Sequence, residues 1–68
     1  MKAREEEIAA VRLVASVGVL DATGPRFPRK VKNILRDCVA HKWIEGPPTG
    51  YNVTMVGEAM LQAAKEEG

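Results

Sequence analysis

The chain contains one cysteine, Cys38, and only three aromatic residues, Phe27, Trp43 and Tyr51. A single thiol excludes an internal disulfide and cannot build a zinc site alone, so the usual staples of small domains are absent. With rings so scarce, each is expected to anchor a contact. Long apolar runs are scarce as well: Leu13–Leu20 is free of charge for eight residues, against the roughly 20 that cross a bilayer. Met1-Lys2-Ala3 followed by Glu5-Glu6-Glu7 is not the basic start of a secretory signal. These absences point to an intracellular, cytoplasmic chain with no membrane partner.

The 68 residues allow one domain, spanning 1–68. Apolar residues make up 46% and charged ones 28%, the balance of a folded domain and not of a disordered one. A chain this short buries only about 60% of its unfolded surface. Its stability must therefore come from close helical packing or from self-association.

The net charge of +1 conceals a strong division by position. Between Gly24 and Trp43 stand Arg26, Arg29, Lys30, Lys32, Arg36 and Lys42, against Asp37 alone. The rest of the chain has Lys2, Arg4, Arg12 and Lys65 against eight acids. A basic block on an acidic chain suits a phosphate-bearing partner, with repulsion discouraging binding elsewhere. The plainer reading is a solvated helix without a ligand.

Periodicity predicts a helix over 4–17. Ile8, Val11, Ala15 and Gly18 follow one helical stripe, and Glu5, Glu6 and Glu7 suit the positive end of the helix dipole. Leu13, Val14 and Val17 lie off that stripe, so the helix is apolar over most of its circumference. That pattern fits a central core helix that also forms an oligomer interface. Residues 18–27, punctuated by Gly18, Gly24 and Pro25, read as a linker with room for one helical turn near Val19–Thr23.

A second helix is predicted over 28–42, with Pro28 in its first position. Val31, Ile34, Leu35, Cys38 and Val39 mark its buried face. The opposite face holds Arg29, Asn33, Arg36 and Ala40, with Lys30 and Lys32 on the shoulders. A two-stranded hairpin over 43–54 follows, its tip dense in Gly and Pro, with Trp43, Ile44, Tyr51 and Val53 as its contacts to the helices. Thr54 is a suitable N-cap for a closing helix over 55–67, whose apolar positions are Met60, Leu61 and Ala64. The fold class is thus α+β and mostly helical.

The run Val31, Leu35, Cys38, then Trp43-Ile44-Glu45-Gly46, then Tyr51-Asn52-Val53-Thr54 and Gly57-x-x-Met60-Leu61 resembles the winged helix-turn-helix of bacterial, archaeal and phage transcription regulators. The match covers about half the chain, Arg29 to Leu61. It implies a winged helix in which 28–42 is the recognition helix in the major groove of double-stranded DNA, with 43–54 as the wing. By that resemblance Arg29, Asn33 and Arg36 face the bases, while Arg26, Lys30, Lys32 and Lys42 meet phosphates. Two departures stand out. The bracing helix of such domains would have to fit between Gly18 and Phe27, and the tip Pro47-Pro48-Thr49 carries no cation. The second feature favours an alternative, a protein-interaction module or inhibitor whose basic helix meets an acidic protein partner.

Cys38 and His41 could share a helical face, but no second pair completes a metal site, and no third group orients them for nucleophilic chemistry. They read as a core thiol beside a rim imidazole. Glu5, Glu6 and Glu7 do not converge and read as a solvated helix start. No cofactor is expected, and nothing argues for an enzyme. A homodimer is expected through Leu13, Val14 and Val17, with help from Met60 and Leu61.

Overall fold

A computed structural model describes residues 4–67. The element order is α1 (Glu5–Val17), α2 (Arg29–Ala40), β1 (Ile44–Glu45), β2 (Asn52–Val53) and α3 (Met55–Glu67). The architecture is α+β: three helices around an antiparallel two-stranded hairpin. No helix among the described residues is long and apolar enough to cross a membrane.

α1 begins where the Arg4 backbone N–H donates to Glu7 Oε1 at 3.1 Å. It ends at Gly18, whose φ of +92° disfavours a side chain and whose N–H reaches the Val14 carbonyl at 2.8 Å. Its buried residues are Ala10, Val11 and Val14. The stripe is therefore rotated from the expected one: Ile8 is half-buried, while Ala15 and Gly18 are exposed. On a helix apolar nearly all round, periodicity alone does not select the inward face; the neighbours do.

No helical turn forms at Val19–Thr23. That segment is extended, and Leu20 exchanges two backbone hydrogen bonds with Tyr51, at 2.8 and 2.9 Å. Ala22 N–H donates to the Pro48 carbonyl. Asp21 accepts from both the N–H and the hydroxyl of Thr23, which holds its carboxyl below the usual range. The tight turn lies later, at Gly24–Phe27. The chain between α1 and α2 thus acts as a third strand of a single bridge, and the space for a bracing helix goes unused.

α2 is shorter than the expected 28–42. Pro28 is its N-cap, not its first helical residue, and its last turn closes on His41. The Lys42 N–H bonds the Val39 carbonyl and the Trp43 N–H bonds the Cys38 carbonyl, with Lys42 at φ 65°. This is a Schellman ending with lysine in the left-handed position that glycine usually occupies. Trp43 and Cys38, the two residues such an ending brings together, are both buried.

β1 and β2 pair with Ile44 opposite Val53 and Glu45 opposite Asn52. Thr54 then links three elements. Its hydroxyl accepts from the Gly57 N–H at 3.0 Å, capping α3, and donates toward the carbonyls of Lys42 and Trp43. The core comprises Ala10, Val11, Val14, Leu20, Ala22, Leu35, Cys38, Trp43, Ile44 and Tyr51. Phe27, Val31, Ile34, Val39, Val53, Met60 and Leu61 pack around it.

At Gly57 the first turn of α3 lies directly on the hairpin. A Cβ there would collide with the Trp43 carbonyl and come within 2.8 Å of Val53 Cγ2. Gly→Ala inside a helix ordinarily stabilises by about 1 kcal/mol; here overpacking of about 1–3 kcal/mol or more reverses the sign. Urea unfolding of Gly57→Ala is expected to show net destabilisation. Trp43→Ala removes a buried ring and is expected to cost about 3–5 kcal/mol, enough to leave the chain largely unfolded by circular dichroism.

Candidate nucleic-acid interface

α2 has two faces because its sequence does. Leu35 and Cys38 are fully buried and Val31, Ile34 and Val39 partly so, which turns Arg29, Lys30, Asn33 and Arg36 into solvent. Lys32 is half-exposed on one shoulder, and Arg26 is exposed in the turn before the helix. Among the described residues none of these six side chains forms an ion pair; the pair present joins His41 to Glu7. Asp37 is also exposed, one turn along from Asn33 and between it and Lys30 on the helix surface.

Arg29 and Arg36 are seven residues, two turns, apart, a rise of about 10 Å. Asn33 lies between them on the same line. Lys42 is not on this helix. Its left-handed backbone carries it past the end of α2, exposed at the base of the hairpin. It is thus separated from the Arg29–Arg36 line. The hairpin tip Pro47-Pro48-Thr49 is exposed and uncharged.

The far end of α2 is tied to α1 by a contact that local sequence patterns do not reveal. Glu7 both accepts from the Arg4 backbone and lies 3.5 Å from His41 Nε2 through its other oxygen. Its side chain is only 12% exposed, so it is not the solvated helix start expected. His41 stacks on Trp43 with ring centroids 4.4 Å apart. Glu7 and His41 are far apart in the chain, and only the packing of α1 on α2 unites them.

Cys38 lies beneath this contact, with its thiol 3.8 Å from the Glu7 carbonyl oxygen. Burial, reinforced by the charges of Glu7 and Asp37, pushes the thiol up to about 12 from 9.0. It is a packing residue with no nucleophilic form near neutrality. Among the described residues no three His, Cys, Asp or Glu side chains gather as metal ligands.

The residues expected at a dimer surface divide. Leu13 and Val17 are exposed, as an interface requires. Val14 is fully buried in the core and is withdrawn from any such role, because the rotated α1 directs it inward. Met60 and Leu61 are half-buried against the core. Val19, Met55 and Val56 are exposed instead, and periodicity did not single them out.

The buried thiol makes a direct prediction. Folded protein at pH 8 is expected to react with a thiol reagent only as fast as it unfolds, and denatured protein at once. Since ionisation of Cys38 is easier in the unfolded chain, stability is intact below about pH 9 and falls as pH rises toward 12. A native-state labelling rate matching that of the denatured chain would overturn the burial.

No protein-family model, curated protein or solved structure matches this chain.

Proposed function

We propose that this chain is a winged-helix DNA-binding domain and regulates transcription by placing α2 in the major groove of double-stranded DNA. The observation that carries this reading is the outward face of α2: Arg29, Asn33 and Arg36 in one exposed line, with Lys30 and Lys32 beside it and no ion pair among described residues occupying them. Arginine can donate two bonds to guanine and asparagine can pair with adenine, each worth about 1–3 kcal/mol of discrimination. Lysines at the flanks neutralise phosphates, which position the helix without specifying sequence. The layout supports the reading, since a helix followed by a hairpin and a closing helix is the arrangement of winged domains. The absent bracing helix leaves the start of α2, with Arg26 before it, open to a backbone.

At 3.4 Å per base step, the roughly 10 Å between Arg29 and Arg36 spans about three base pairs. Lys42, displaced from the helix, is assigned to a phosphate reached from the hairpin side. The second reading is an acidic protein partner held on the same basic face. The uncharged tip Pro47-Pro48-Thr49 favours it, because the hairpin offers a duplex no cation.

Fluorescence anisotropy on a site selected from random duplexes, at two salt concentrations, separates the two readings. Lys30→Ala or Lys32→Ala is expected to weaken binding to every sequence alike and to lower the salt slope by about one unit each. Arg36→Ala or Asn33→Ala is expected to flatten discrimination between the selected site and its single-base variants. Absence of duplex binding at low salt would give the basic face to a protein partner.

A further inference from the structure

Asp37 is the lone acid in the basic stretch between Gly24 and Trp43, and α2 gives it no structural reason to be there. The helix ends at Ala40, so the carboxylate stands in the last turn, at the negative end of the dipole, where a cation is favoured. No Lys or Arg lies three or four residues away in either direction; those neighbours are Asn33, Ile34, Ala40 and His41. His41 turns instead to Glu7. Among the described residues the Asp37 side chain makes no ion pair and no hydrogen bond.

The face it occupies is unfavourable too. Asp37 is exposed and turned only about 40° from Asn33 and about 20° from Lys30 around the helix. A polyanion meeting this face is repelled by it at every sequence, and an acidic protein would be repelled equally. Neither helix stability nor general affinity therefore accounts for a carboxylate at this position.

We propose that Asp37 is a specificity-determining residue whose carboxylate accepts a hydrogen bond from the N4 amino group of a cytosine in the major groove. This rests on the reading of α2 as the helix that enters the groove. The chemistry selects one base. Guanine presents the N7 and O6 acceptors there, and thymine an acceptor and a methyl group. Adenine sets its amino donor beside the N7 acceptor, whose lone pair opposes a carboxylate. Cytosine offers the donor without an acceptor beside it on the same base. Against any other base the carboxylate is desolvated and unpaired, so Asp37 works as much by rejection as by attraction. Lys30 and Lys32 supply the phosphate attraction that its charge offsets. Asn33 and Asp37 are one turn, about 6 Å, apart, which puts the cytosine about two base steps from the base that Asn33 meets.

Selection from random duplexes with the full chain, followed by anisotropy on the selected site, tests the assignment. Wild type is expected to select cytosine at one position and to lose about fivefold or more in affinity when that pair is changed. Asp37→Asn is expected to move the preference at that position alone toward adenine, because an amide pairs with N6 and N7. Asp37→Ala is expected to lose the preference there and to bind a scrambled duplex at least about twofold more tightly at low salt. N4-methylcytosine carries its methyl in place of the groove-facing hydrogen. At that position it is expected to weaken wild type and leave Asp37→Ala unaffected. That measurement tests the contact on the unaltered protein should either variant unfold. Base preferences that survive in both variants overturn the inference and leave the proposed groove contact standing, with Asp37 a solvated acid. A wild type that binds no duplex at low salt overturns both.

Discussion

The turn that leaves α2 sets the geometry of everything after it. Lys42 enters the left-handed region, Trp43 returns its N–H to the Cys38 carbonyl, and the indole is thereby delivered into the core. A non-glycine residue in that conformation costs about 1–3 kcal/mol, offset by the burial of Trp43 and the hydrogen bonds around it. Thr54 fastens the other side of the same turn to the first turn of α3, and Gly57 permits the approach. One short segment thus fixes the hairpin against α2 and α3 against the hairpin. The absence of a disulfide places the full burden of rigidity on such packing.

From that constraint follows the exposure of the basic face. α2 is held from beneath by Leu35 and Cys38, at its far end by the Glu7–His41 contact, and by the hairpin that follows it. None of these supports uses a residue on the Arg29–Asn33–Arg36 line. The helix can therefore present its arginines without giving up contacts that keep it folded. Charge division along the chain acts in the same direction, since the basic residues are concentrated on and around α2 while the acids lie mostly elsewhere.

How much was legible in advance depended on the range of the interaction. The buried stripe of α2, the basic line opposite it, the Gly- and Pro-rich hairpin and the Thr54 cap were readable because each is a pattern within one element, set by 3.6-residue or two-residue periodicity and turn chemistry. The inward face of α1 was not, because apolar residues surround it and several rotations bury similar area. The extended segment at Leu20 was not either. It is ordered by backbone hydrogen bonds to Tyr51, 31 residues away, and backbone groups leave no residue-type signal. The same holds for Glu7 and His41, whose meeting depends on how α1 crosses α2. Sequence alone marked the three helices and the hairpin and the charged face of α2. Tertiary packing decided which apolar residues were consumed by the core and which, at Val19, Met55 and Val56, were left on the surface.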